Sequence, residues 1–235
     1  MSEWSEFGGV IGRYRSESTP WWPEPLRAPE GAPNVLVVLL DDVGFAQLGC
    51  FGSDIDTPTF DRLAASGLRY TNFHTTALCS PTRACVLTGR NHHRVGVGRV
   101  TDLATGFPGY HSRIGKEHGF LSEMLVPAGY GAYAVGKWHL TPDDERHLGS
   151  SRARWPLGRG FERFYGFFGG ETHQFAPSLV ADNHRVAPPR LAVLIAVRGR
   201  WAAGASLSTQ VMSRAHSSRT SRTGMVLRTL TYPPT

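Results

Sequence analysis

Residues 34–42 read Asn-Val-Leu-Val-Val-Leu-Leu-Asp-Asp. A continuous apolar run of this length, rich in valine and without alternation, is the pattern of a strand buried on both faces of a parallel sheet. It ends abruptly at two adjacent carboxylates, Asp41 and Asp42, and is far too short to cross a bilayer. Upstream, residues 1–33 carry Trp21, Trp22, Pro23, Pro25, Pro29 and Pro33 with neither helical nor strand periodicity. That predicts an irregular N-terminal arm whose tryptophans pack on the domain surface. Downstream, Pro58 to Gly67 predicts a short helix, with Thr57 as N-cap, Pro58 at the first position and Gly67 as terminator. Arg69 to His74 reads as the next strand. Cys79 to Gly89 suits a helix with Pro81 in its first turn, which puts Cys79 at a helix N-terminus. A glycine-rich loop covers residues 94–119, and Phe120 to Ala128 predicts a helix shortened by Pro127. Tyr130 to Val135 reads as a strand with Gly136, Lys137, Trp138 and His139 at its C-terminal end. Strands alternating with helices argue for an α/β fold with a largely parallel sheet.

The chain has 235 residues, 40% hydrophobic and 19% charged, which suits one or at most two globular domains. Its formal net charge of +6 would invite a polyanion partner, but the charge is unevenly placed. Residues 1–187 hold all 19 acidic residues and 18 of the 25 basic ones, a net of −1. Residues 188–235 hold seven arginines and no acid, a net of +7, and no lysine. Such a composition predicts a disordered basic tail over 188–235, in which Leu191 to Val197 has the apolar character of a strand but no partner follows it. The scattered arginines, with Trp201 and Tyr232 as the tail's aromatics, do not make a nucleic-acid-binding arm. Neither nucleic acid nor membrane is expected as a partner. Cys50, Cys79 and Cys85 are too few for a disulfide framework and contain no C-x-x-C pair. No signal-peptide pattern opens the chain, so the expected location is cytoplasmic.

Three polar clusters fall where open α/β sheets gather ligands, at strand C-termini and helix N-termini. They are Asp41 with Asp42, Cys79 to Arg83, and Lys137 with His139. The adjacent carboxylates suit a hard cation such as Ca²⁺ or Mg²⁺, but such pairs alone more often cap loops. Cys79, with Arg83 one turn on, is a thiolate nucleophile in one reading and a structural thiol in the other. Lys116 and Lys137 are the chain's two lysines against 23 arginines, which makes Lys137 at a strand end conspicuous.

Residues 77–89, ALCSPTRACVLTG, resemble the type I sulfatase signature built on C-x-P-x-R, whose cysteine a modifying enzyme converts to formylglycine. Residues 129–139, GYGAYAVGKWH, resemble the family's second signature, with Ala132 where Ser or Thr is usual. Asp41 and Asp42 match the family's first metal pair, and stretches such as NVLVVLLDDVGF and PLGRGFERFYGFFGGETHQ look like the bacterial arylsulfatase branch. The resemblance runs from about Pro20 to Val186. It implies an alkaline-phosphatase-like α/β fold, a mostly parallel central sheet flanked by helices, incomplete here, with 34–187 as the sulfatase α/β region. It further implies a sulfuric ester hydrolase that cleaves sulfate monoesters to alcohol or phenol and sulfate. Hydrated formylglycine at position 79 would attack sulfur, activated by Ca²⁺ or Mg²⁺ held on Asp41, Asp42 and residue 79. Arg83 and Lys137 would bind substrate and neutralise the sulfate oxygens, and His139 would take the proton from the second hydroxyl as sulfate leaves. The implied partners are a small sulfate ester and the formylglycine-generating enzyme.

Other residues take plainer readings. His74 is expected in the core of its strand, His92 and His93 as shapers of the loop after the signature helix, and His111, His118 and His173 in loops. Asp182-Asn183 has the composition of the family's second calcium pair, but that pair lies much further downstream, so no ligand role is assigned. Cys50 and Cys85 read as packing residues. The compositional break at Ala187 predicts a truncated, poorly active or inactive form. Two alternatives remain: a non-catalytic fragment or pseudogene product, and a phosphonate or phosphate monoester hydrolase of the same superfamily.

Overall fold

A computed structural model describes residues 7–188 and the backbone of residues 226–230. The opening apolar run forms strand β1, Asn34–Val38, and Leu39 and Leu40 continue outside it toward the carboxylates. Its partner is β6, Val226–Leu230, antiparallel, with Asn34 opposite Leu230 and Val38 opposite Val226. This corrects the expected doubly buried parallel strand. Val35 and Leu36 stay 53% and 56% exposed, because an edge neighbour covers neither face of a strand. The tail, read as lacking an ordered element, supplies that neighbour. Leu191 to Val197 lies outside the described residues.

The second sheet has the order β2-β3-β4-β5. Strand β2, Tyr133–Lys137, runs parallel to β3, Arg163–Phe167. Strands β4, Leu179–Ala181, and β5, His184–Val186, follow antiparallel. The described sheet is therefore mixed rather than largely parallel. A two-residue connection permits only an antiparallel return, whereas a parallel one needs a crossover of roughly a dozen residues. That connection is Asp182-Asn183, with Asp182 at φ 54° and its Oδ1 accepting the Phe164 N–H at 2.9 Å. The pair shapes a turn.

Helix α1, Pro58–Ser66, starts on its proline and stops at Gly67 as its sequence dictates. Helix α2, Cys79–Thr88, ends on Gly89 in the left-handed region at φ 64°, whose N–H closes onto the Cys85 carbonyl at 2.8 Å. Helix α3, Leu121–Leu125, gives way to a 3-10 turn over Val126–Ala128 at Pro127. Arg69 to His74 forms no strand and is exposed, with His74 Nε2 2.7 Å from Asn72 Oδ1 rather than in the core. No described strand lies beside it, and an unpaired strand leaves its backbone groups to water.

The core gathers Val95, Val97, Ile114, Phe120, Trp138, Leu140, Trp155, Phe164 and Phe168. Trp138 meets Phe161 and Phe164 edge-on, at centroid distances of 5.7 and 6.2 Å. Arg159, 1% exposed, donates to the carbonyls of Ile114, Gly115 and His118 and to Glu123 Oε2. It also lies 3.9 Å over the Phe120 ring, so one side chain ties the glycine-rich loop to α3.

Burial by itself would raise the Glu123 carboxyl, but Lys116, the Phe120 N–H and Arg159 outweigh it and hold Glu123 below its ordinary value. The unfolded chain then binds this proton more readily than the folded one. Stability from Glu123 is therefore full above pH ~4.5 and fades as the pH falls below that. Glu123→Gln is expected to lose ~1–3 kcal/mol at pH 7 and less once the pH falls below ~4.5, as protonation of the parent's carboxyl removes the difference. Urea unfolding above and below that pH checks this; an equal deficit at both would contradict it.

Candidate active site

Strand β2 ends on Lys137, and the ladder continues past it. Trp138 N–H donates to Phe167 O at 3.0 Å and His139 N–H to Phe168 O at 3.1 Å. His139 sits at φ 55°, a left-handed conformation that costs a residue with a side chain ~1–3 kcal/mol and persists where its surroundings over-determine it. The sharp turn of backbone directs a 2%-exposed imidazole back under the sheet end. There its Nδ1 lies 3.2 Å from Cys79 Sγ. Cys79 is the first residue of α2, as its sequence predicts.

Arg83, one turn along α2, closes a compact ionic cluster. Its Nη1 donates to Lys137 O at 2.6 Å and its Nη2 to Asp41 Oδ1 at 3.0 Å. Lys137 Nζ donates to Asp41 Oδ2 at 2.6 Å. The three side chains are 10%, 9% and 12% exposed. Burial would raise the Asp41 carboxyl, but Lys137 and then Arg83 outweigh it and hold it below the ordinary carboxylate value. Two cations on one carboxylate leave an excess of positive charge. Arg83 Nε is buried with no hydrogen-bond partner. Asp42, at φ 54°, shares with Asp41, Cys79, Thr82 and Arg83 the lining of a small recess.

Behind His139 lies a second carboxylate. Asp102 Oδ2 is 2.9 Å from His139 Nε2, and its Oδ1 takes Arg146 Nη2 at 2.6 Å. Arg146 is itself held by Thr101 Oγ1 at 2.9 Å, Thr141 O at 3.0 Å and Asp143 at 2.5 Å. A Cβ on Gly170 would stand 2.8 Å from His139 Cε1 and 3.0 Å from Asp102 Oδ2, so only glycine passes over this pair. Burial pushes His139 down to about 4, the charge of Lys137 adds to this, and Asp102 opposes it. The ring is thus neutral at pH 7 and able to accept a proton.

Asp41, Cys79, Arg83, Lys137 and His139 are brought together as their sequence positions predict, with Asp42 at the same recess. Asp102 and Arg146 carry no local signature; Gly170, where a Cβ would crowd both His139 and Asp102, is the nearest signal. His92 and His93 lie in the loop after α2, bonded to Val97 O at 3.2 Å and Tyr110 Oη at 3.1 Å. In donor chemistry, Asp41 and Asp42 fit a hard divalent cation. In number they fall short, for no three His, Cys, Asp or Glu among the described residues come together to hold one. No helix among the described residues is long and apolar enough to cross a membrane.

Several known proteins are similar to this chain. An uncharacterized sulfatase of Schizosaccharomyces pombe is 38% identical over 159 residues, covering 64% of this chain and 27% of the relative. An arylsulfatase of Klebsiella aerogenes is 32% identical over 150 residues, covering 63% and 31%. Human N-acetylgalactosamine-6-sulfatase is 36% identical over 146 residues, covering 57% and 25%. The chain thus spans about a quarter to a third of the length of the curated relatives it matches. Among solved structures, a protein of a Bacteroides thetaiotaomicron locus for metabolism of multiple glycosaminoglycans matches with a TM-score of 0.52 at 27% identity, covering 66% of this chain and 32% of that one. A Bacteroides fragilis protein assigned as a sulfatase matches in fold, with a TM-score of 0.53 at 24% identity over 69% of this chain and 37% of that one. The architecture is the α/β, alkaline-phosphatase-like fold of these proteins, of which this chain carries part. The Sulfatase family model matches residues 33–223, past the compositional break at Ala187. With Cys79, Arg83, Lys137 and His139 assembled at one sheet end and that match spanning most of the chain, the protein belongs to the sulfatase family.

Proposed function

We propose that this chain carries an arylsulfatase-type site, a sulfuric ester hydrolase acting on sulfate monoesters through a formylglycine made from Cys79 by a modifying enzyme. The observation that carries the reading is the placement of Cys79 Sγ at 3.2 Å from His139 Nδ1, on the helix turn that also presents Arg83 to Lys137 and Asp41. In this chain Sγ marks the place of an oxygen on the converted residue. The hydrated aldehyde would supply two hydroxyls on one carbon, one to attack sulfur and one to give up a proton. Asp41 and Asp42 would supply two carboxylates toward the shell of a Ca²⁺ or Mg²⁺, which would supply Lewis acidity when bound.

The chain's own residues do the rest. Arg83 and Lys137 gather the sulfate oxygens and neutralise charge that grows as the ester bond breaks. Asp41 keeps both cations pointed at one spot. His139, neutral and buried, takes the proton at Nδ1.

Produced together with a formylglycine-generating enzyme, the chain is expected to show an aldehyde at residue 79 by peptide mass spectrometry. Thiol throughout would overturn the reading. Turnover of p-nitrophenyl sulfate is expected to be low, since the described carboxylates supply two members of a shell that takes ~6–8 oxygens. Whatever sulfate is released should vanish in Cys79→Ala; release that survives that change would sink the proposed chemistry.

A further inference from the structure

We infer that Asp102 is a positioning residue that fixes the tautomer of His139, and so decides that Nδ1 faces residue 79 as a proton acceptor. The inference rests on the proposed role of His139 as the base at residue 79. Its own evidence is the chain of contacts behind the ring. An ionised carboxylate only accepts, so the 2.9 Å contact with Asp102 Oδ2 requires the proton on His139 Nε2. A neutral imidazole has a single N–H, which leaves Nδ1 with a bare lone pair, 3.2 Å from Cys79 Sγ. Arg146 takes the other oxygen of Asp102 at 2.6 Å and is itself held by Thr101, Thr141 and Asp143, while any carboxylate left beside Nε2 can only accept. The ring itself cannot slide outward. Its backbone is tied to Phe168 O, and Gly170 passes so close that a Cβ there would stand 2.8 Å from Cε1.

Arg146 also makes the inference sharply testable. In Asp102→Asn the carboxamide keeps the shape, but Arg146 can only donate and therefore claims the carboxamide oxygen. The NH₂ group then faces His139 Nε2, which must accept, so the ring proton moves to Nδ1. The acceptor aimed at residue 79 becomes a donor.

Nitrogen-15 NMR of the histidine-labelled chain at pH 7 reads the tautomer directly, with His139→Gln assigning the signal among the ten histidines. The expected result is an Nε2–H ring in the parent and an Nδ1–H ring in Asp102→Asn. Arg146→Leu, which keeps the carboxylate, should retain the parent's tautomer and serves as a second folded variant. An Nδ1–H ring in the parent, an unchanged tautomer in Asp102→Asn, or a switched one in Arg146→Leu would each overturn the inference. In the aldehyde-bearing chain, Asp102→Asn should lower kcat on p-nitrophenyl sulfate by ~10²-fold or more at unchanged KM; an equal kcat would also overturn it. Failure of Cys79 conversion beside an intact tautomer switch would sink the proposed function while leaving the hold of Asp102 on His139 standing.

Discussion

Asp41→Ala is expected to lower the free energy of unfolding by ~3–5 kcal/mol, the range for removing one partner of a buried ionic cluster. Among the described residues, Asp41 is the one carboxylate on Arg83 Nη2 and Lys137 Nζ, and all three side chains are about nine-tenths buried. Without it two buried cations lose the carboxylate they share. A companion variant separates stability from function. Replacing the trio together, Asp41→Leu with Arg83→Met and Lys137→Met, should recover most of the loss, because buried ionic groups exchanged for apolar ones of similar size are often neutral or better. Denaturant unfolding of the three proteins decides it. A triple variant as unstable as Asp41→Ala would mean that the cluster holds the fold together, and would remove the argument that it is kept for an anion.

Gly166→Ala should be nearly as damaging, at ~3 kcal/mol, the upper end for overpacking. Gly166 lies opposite Gly136 in the parallel β2–β3 register, and a Cβ there would stand 1.9 Å from the Gly136 carbonyl oxygen. The obstacle is backbone, so no rotamer change relieves it. Opening this register displaces Lys137 and releases the Phe167 and Phe168 carbonyls from Trp138 and His139. The control is Gly106→Ala, where a Cβ meets nothing within 4 Å and the change should be close to neutral. Thermal unfolding of the pair measures the difference. Equal midpoints would show that the two strands separate without cost.

Much of the site was legible because its chemistry is local. Cys79, Pro81 and Arg83 lie within two turns of one helix, and Pro81 in its first turn with Gly89 as terminator places Cys79 at its start. Lys137 and His139 sit at the C-terminal end of a short strand, where α/β folds gather ligand groups. Asp102 was not legible. It reaches His139 across 37 residues and Arg146 from the far side, inside a glycine-rich stretch whose spacing follows no period. The strand read over Arg69 to His74 failed for a related reason. Alternation proposes a strand, but only a neighbour with free N–H and C=O groups makes one.

The sequence by itself determined the family, the helix that presents Cys79 and the identities of the charged groups around it, because these depend on residue type and short-range order. Tertiary structure decided three further things. It set the pairing of β1, which composition assigns to a buried parallel sheet and the fold gives to Val226–Leu230. It joined Asp41, Arg83 and Lys137 into one charge cluster. It placed Asp102 and Arg146 behind His139. Each depends on which distant backbone groups and charges find one another, and a pattern along the chain carries no record of that.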